Sequence, residues 1–199
     1  MRILLIGASG TIGKRIYDEF SKKHEVVRAS RSGEDAVVDI TSAESIEQMY
    51  KSAENIDAVI CAAGPAKFVP LAEMTEDDVY FGIRGKMMGQ VNLVRIGQKY
   101  INDNGSFTLT TGILADDPIA GSAPVSLVNG GVNSFVLAAA QELPRGLRVN
   151  VVCPTVVEDS AEAYGDWFAG FDPASMPRVV NGYKRSVEGL ITGRIIKIY

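Results

Sequence analysis

The chain has 199 residues, 46% of them hydrophobic and 22% charged, and a net charge of −4. That is ordinary for a globular protein with one core, and it offers no basic surface for nucleic acid or an anionic membrane. No apolar stretch approaches the ~20 residues that a bilayer-spanning helix needs. The chain opens on an apolar strand, Ile3 to Ile6, followed by Gly7, Gly10 and Gly13 and an amphipathic helix from about Thr11 to Lys23. Strand, glycine turn and helix in that order make an anion site. Without a Cβ the backbone can reach a pyrophosphate, and the free N–H groups at the positive end of the helix dipole bind it. The pattern points to a dinucleotide held by Gly7, Ser9, Gly10, Thr11, Ile12 and Gly13. The alternatives are a glycine-rich turn that binds nothing, or a flavin or phosphate site on another α/β fold.

Glu25 to Ala29 reads as the second strand and Ala36 to Asp39 as a short third one. Thr41-Ser42-Ala43-Glu44 reads as a capping box opening a helix to about Ser52. The fourth strand, Ile56 to Ala62, stops at Ala63-Gly64-Pro65. Thr75 with Asp78 caps a helical region that leads into a long helix from about Lys86 to Ile101. Asn104-Gly105 turns into the strand Ser106 to Thr110, and a second long helix covers about Val125 to Glu142. Arg148 to Cys153 is a strand ending at Pro154, and Arg194 to Ile198 is the last. Short, continuously apolar strands alternating with helices imply parallel βαβ units. The expected architecture is α/β: a single-domain, Rossmann-like, doubly wound parallel sheet of about seven strands with helices on both faces, spanning residues 1–199. Residues 155–190 are expected to form a substrate lid and C-terminal helical region within it.

The end of the second strand sets cofactor choice. An acidic residue there accepts ribose hydroxyls, whereas cations there accept a 2′-phosphate. The chain has Arg28-Ala29-Ser30-Arg31-Ser32 and no acid before Glu34, so Arg31, with Ser30 and Arg28 beside it, favours NADP(H) over NAD. The alternative is a solvated loop arginine. Cys61 and Cys153 lie in apolar runs and read as buried free thiols. A single histidine and no Cys/His cluster give no zinc site. Ile3 to Ile6 is too short for a signal-peptide core, so a cytoplasmic protein is expected.

Together these segments resemble the short-chain dehydrogenase/reductase family almost from end to end. Gly7, Gly10 and Gly13 match its nucleotide loop in the spacing of extended and atypical members. Asp39-Ile40 resembles the acidic position that contacts adenine, and Cys61-Ala62-Ala63-Gly64 stands at the Asn-Asn-Ala-Gly motif. The segment from Gly131 to Leu143 resembles the helix after the catalytic lysine. Val149 to Thr155 resembles the strand whose Pro-Gly flanks the nicotinamide, here Pro154-Thr155, and Thr192-Gly193 resembles the C-terminal Thr-Gly. The resemblance assigns Ala62, Ala63, Gly64, Pro154 and Thr155 to the cofactor site.

The family's proton relay is a tyrosine and, four residues on, a lysine. Aligned on Gly131-Val132, those positions hold Val125 and Asn129, and no tyrosine lies between Tyr100 and Tyr164. Valine transfers no proton and asparagine carries no charge to stabilise a tyrosinate. Thr111 or Thr110 remains to orient a substrate carbonyl. Lys86, at the family's active-site asparagine in Lys86-Met87-Met88-Gly89, becomes a candidate acid/base if burial lowers its pKa. The other reading is a surface lysine at a helix start. Tyr164 to Pro173, with Trp167, Phe168 and Phe171, reads as an apolar lid or as core packing.

The resemblance supports two main readings. One is an NADP(H)-dependent oxidoreductase acting on a small carbonyl or alcohol with a rebuilt relay. The other is a catalytically silent NADP-binding redox sensor or regulatory protein. An epimerase or dehydratase on the same scaffold is a third. The two long helices, the second carrying Gly130, Gly131 and Ala138 to Ala140, suit a homo-oligomer or close packing on the sheet.

Overall fold

A computed structural model describes residues 1–199. Seven parallel strands form one sheet: β1 Arg2–Ile6, β2 Glu25–Ser30, β3 Ala36–Val37, β4 Ala58–Cys61, β5 Ser106–Thr110, β6 Arg148–Pro154 and β7 Arg194–Ile198. Their order is β3-β2-β1-β4-β5-β6-β7, so the winding reverses between β1 and β4. At that reversal two adjacent crossovers leave in opposite directions and open a crevice at the strands' carboxyl ends.

The pleat sorts the side chains into two apolar layers. Leu4 and Ile6 of β1 join Val59, Phe107, Leu109 and Val151 on one face. That face is covered by α2 (Ala43–Ser52), α4 (Met88–Gly97) and α5 (Ala123–Ala139). Ile3 and Leu5 join Ile60 and Ile196 on the other, under α1 (Thr11–Phe20) and α7 (Met176–Val187). β5 is polar on the α7 side, where Thr108 Oγ1 lies 2.7 Å from Ser186 Oγ and Thr110 Oγ1 2.7 Å from the buried Tyr183 hydroxyl.

Several boundaries differ from the sequence reading. Ser42, not Thr41, caps α2, its Oγ accepting the Ser45 N–H at 3.1 Å, because the Thr41 hydroxyl is donated to Asp39 Oδ1 at 2.8 Å. β3 is only two residues long. The helix expected from Lys86 begins earlier. α3 (Glu76–Gly82), closed by the Thr75/Asp78 capping box, runs through a π-helical turn, Ile83–Met87, straight into α4. It ends at Gly97 rather than Ile101. A Cβ on Gly97 would stand 2.6 Å from the Tyr50 ring, so this glycine is needed for α4 to pack on α2. After β6 come α6 (Glu158–Tyr164), with no buried residue, and then α7, so the C-terminal region is two separate helices.

Candidate dinucleotide cleft and substrate cavity

The glycine loop joins β1 to α1 at the topological reversal. Gly7 has φ +87°, and a Cβ there would press to 2.9 Å on the Ala62 carbonyl oxygen. A Cβ at Gly13 would overlap the Gly7 carbonyl oxygen and sit 2.8 Å from its carbon. Gly10 is the N-cap of α1, with no side-chain cap and no acid in the first turn. The Gly7 and Gly10 N–H groups bond the Ala29 and Gly7 carbonyls, and those of the first turn of α1, Thr11 to Gly13, are left for an anion.

From this loop a cleft of about 250 Å³ runs toward β2 and β3, lined by Ser9, Ser30, Arg31, Asp39, Ile40 and Gly64 among others. Asp39 accepts the Thr41 N–H at 2.9 Å and its hydroxyl at 2.8 Å, which holds its carboxyl below the usual range. Arg31 is exposed, lines this cleft and makes no ion pair. Arg28 does not assist it. Its guanidinium bonds Asp35 at 2.9 Å, faces Glu34 at 3.4 Å and lies 5.1 Å from the centre of the Tyr17 ring.

On the other side of Gly64 lies a second cavity of about 240 Å³, where Ile12, Lys86, Thr111, Asn129, Pro154 and Thr155 meet. Apolar walls come from Val125, Leu114, Phe68 and Phe168. Thr111 Oγ1 donates to Asn133 Oδ1 at 2.9 Å and is buried. Thr110 does not reach this cavity. Pleating turns its side chain to the opposite face, where it donates to the Cys61 carbonyl at 2.6 Å, so the hydroxyl expected of either threonine belongs to Thr111. Ala62 also lines neither space; it lies beneath the loop, its N–H on the Ile6 carbonyl at 2.9 Å. Val125 and Asn129 face the cavity together, so the positions that align with a tyrosine and a lysine are in the site but carry other groups.

Lys86 sits in the π turn. The Cγ of its side chain and its Cα pack against Gly64, where a Cβ would stand 2.7 Å from Cγ. Burial pushes its amine down to about 8, opposed weakly by the Cys61 and Cys153 thiols. Burial also pushes Cys61 up to about 11, which keeps that thiol neutral. Two buried oxygens here lack partners: Asn129 Oδ1 and Thr155 Oγ1. Phe68, Leu114 and Ser160 were not singled out in the sequence. They come from a loop, the short 3-10 turn and α6, and no local pattern marks them. Trp167, 51% exposed, packs on Phe68 at 5.4 Å between ring centres, over the rim. A larger cleft of about 480 Å³ between α1 and α7 is walled by charges already paired, such as Lys184 with Glu19 at 2.6 Å, and holds no glycine loop.

A nicotinamide dinucleotide fits this arrangement. The glycine cradle is where its pyrophosphate would lie, and the unpartnered Thr155 hydroxyl offers a bond at the far end. The family model described as enoyl-(acyl carrier protein) reductase matches residues 14–178. The chain belongs to the short-chain dehydrogenase/reductase family.

Solved structures agree with that membership. The protein lin1944 from Listeria innocua is 44% identical over the whole of both chains, with a TM-score of 0.98. A small-chain dehydrogenase in complex with NADPH is 20% identical, covering 100% of this chain and 96% of that one, with a TM-score of 0.88. A short-chain dehydrogenase/reductase from Brucella melitensis is 21% identical over 99% and 94% of the two chains, with a TM-score of 0.86. No match is found among curated proteins. As a short-chain dehydrogenase/reductase the chain has the fold and loop of a nicotinamide-dependent oxidoreductase. It departs from the family's pattern at Cys61, Ala62, Lys86, Val125, Asn129 and Thr155. No helix is long and apolar enough to cross a membrane.

Proposed function

We propose that this chain binds NADP(H) and works as an oxidoreductase on a small carbonyl or alcohol. The observation that carries the reading is the meeting of Lys86 and Thr111 in one apolar cavity beside the glycine loop. Gly7 to Gly13 hold the pyrophosphate, Asp39 and Ile40 the adenine, Ser30 and Arg31 the 2′-phosphate, and Pro154 with Thr155 the nicotinamide. When bound, the cofactor supplies or accepts the hydride. Thr111 has committed its proton to Asn133, so its lone pairs face a substrate hydroxyl rather than a carbonyl oxygen. The Lys86 ammonium is the donor for the carbonyl form. Its lowered pKa lets it give up a proton near neutral pH and recover it from water.

The silent-sensor reading rests on the valine at position 125, which leaves no phenol at the family's position. Titration of NADPH fluorescence, followed by a panel of aldehydes, ketones and quinones, separates the two. Oxidation of NADPH by any of them supports the enzyme, and tight binding with no turnover supports the sensor. Arg31→Ala is expected to weaken NADPH at least about tenfold and leave NADH binding within about twofold, since the unpaired guanidinium faces only the 2′-phosphate. Equal losses for both nucleotides would refute the NADP assignment.

We further propose that the protein self-associates through the outward faces of its two long helices. Leu127 and Leu137 on α5 are 49% and 48% exposed, and a Cβ at Gly130 would meet nothing within 4 Å. Leu137→Glu is expected to halve the mass seen by light scattering without changing the helical circular dichroism. A wild-type mass of one chain, or a variant that keeps a wild-type dimer mass, would refute this interface.

A further inference from the structure

Lys86 is the one charged residue lining the substrate cavity, and nothing near it supplies a counter-charge. No carboxylate lines the cavity, and several on the neighbouring elements are engaged elsewhere. Asp116, after the short 3-10 turn Ile113–Ala115, pairs with Lys197 at 2.8 Å. On α6, Asp159 pairs with Arg15 at 2.7 Å, and Glu158 accepts the Met176 N–H at 2.8 Å. The titratable groups that face Lys86 from the sheet are Cys61 on β4 and Cys153 on β6. Burial raises both thiols, so they stay neutral and cannot balance an ammonium. A largely buried cation without a partner is costly to hold, and an anionic ligand relieves that cost.

The remaining polar groups say where the anion goes. Thr155 Oγ1 is buried and unpartnered, so its proton is free to be donated. Thr111 has already donated to Asn133 and offers an anion only repulsion. Asn129 presents an unpartnered oxygen that can only accept, Ser160 and Tyr164 on α6 add hydroxyls, and Phe68, Leu114, Val125 and Phe168 are apolar. One cation matches one negative charge, which favours a carboxylate over a phosphate dianion, and about 240 Å³ admits only a small molecule.

Resting on the oxidoreductase reading above, we infer that the substrate is a small carboxylate, of the 2-oxo acid or 2-hydroxy acid class. Its carboxylate is held by Lys86 and Thr155, its reacting oxygen faces Lys86 and in the hydroxy form donates to Thr111, and its alkyl end lies against Phe68 and Phe168. The three N–H bonds of the ammonium can serve the carboxylate and the adjacent oxygen together. A lysine paired with a carboxylate is still a far stronger acid than an alcohol, so this binding role is compatible with proton donation.

The test is a titration of 2-oxobutyrate and its neutral amide into protein saturated with NADP⁺, where no reduction can occur. The readout is fluorescence of Trp167, the only tryptophan, which packs on the cavity wall through Phe68. The acid is expected to bind at least about tenfold tighter than the amide, and inorganic phosphate to compete poorly. Its affinity should fall about tenfold per pH unit above about pH 8 as Lys86 deprotonates, while the Cys61 thiol, held at about 11, stays neutral. Lys86→Met should abolish the preference for the acid, and Lys86→Arg should keep it, with NADPH binding intact in both as evidence of folding. The inference is overturned if the amide binds as well as the acid, if Lys86→Met keeps the preference, or if neither probe binds to the NADP⁺ form. A separate titration of the same protein with NADPH, read by its own fluorescence, tests the cofactor assignment. If no nucleotide binds, the oxidoreductase reading fails, and acid-over-amide binding to the nucleotide-free protein then decides the anion site alone.

Discussion

Gly13→Ala is expected to remove nucleotide binding and to lower stability by about 3 kcal/mol or more, which for a chain of this size moves Tm down by about 6–12 °C. The added methyl would overlap the Gly7 carbonyl oxygen and crowd the Ala8 Cα at 3.0 Å. Both obstacles are backbone, so no side chain can rotate away, and α1 must lift off the loop that β1 feeds. The lift displaces the N–H groups from Thr11 to Gly13 and also uncovers Ile16 and Phe20, which are buried against the sheet. Gly10→Ala is the matched control. Its Cβ would meet Gly7 at 3.4 Å, an ordinary contact, and its φ of −74° suits any residue. Thermal unfolding of the two variants gives the comparison, and NADPH titration compares Gly13→Ala with the wild type. Equal behaviour would mean that α1 does not rest on the loop as described.

Lys86→Met is expected to stabilise the protein at pH 7 by about 3 kcal/mol, even as it removes substrate binding. The amine titrates at about 8 in the folded chain against an ordinary value of ~10.4, and each unit is worth about 1.36 kcal/mol. Because the folded pKa is lowered, the unfolded chain binds the proton more tightly. The charged lysine therefore destabilises the fold fully below about pH 8. The penalty shrinks as pH rises from 8 to ~10.4 and is gone above that, where both states are neutral. Chemical denaturation of wild type and variant at pH 7 and pH 10 reads this directly. The gain should be large at the first and small at the second. A gain independent of pH would assign it to packing of the methionine rather than to relief of a buried charge.

The inner strands β1, β4 and β6 were legible because burial on both faces leaves near-continuous apolar runs. The crevice was legible for the same reason as the loop: glycines at close backbone approaches come directly after a strand. The features that escaped depended on contacts between distant segments. Arg28 and Arg31 look equivalent in the chain, but the return from β2 to β3 brings Asp35 back to Arg28 and leaves Arg31 free. Thr110 and Thr111 are adjacent in sequence, and only the pleat decides which hydroxyl reaches Asn133. α6 has no buried face and so no apolar periodicity to read. Phe68 reaches the cavity from a loop far upstream of Thr111, a separation that no local pattern spans.

The π turn at Ile83–Met87 has a consequence for how the chain tolerates insertion and deletion. In a helix each residue turns the next by about 100°, so the wider turn resets the phase between the α3 and α4 segments on its two sides. α3, anchored by Thr75 and Asp78, and α4, whose Gln90, Leu93 and Gly97 fit the sheet and α2, are thereby oriented independently, with Lys86 at the joint. Loss of one residue here would restore a regular helix and swing either Lys86 out of the cavity or Leu93 out of the core. The reading frame of this single turn thus couples core packing to the placing of a cation, a constraint that the exposed helix α6 does not carry.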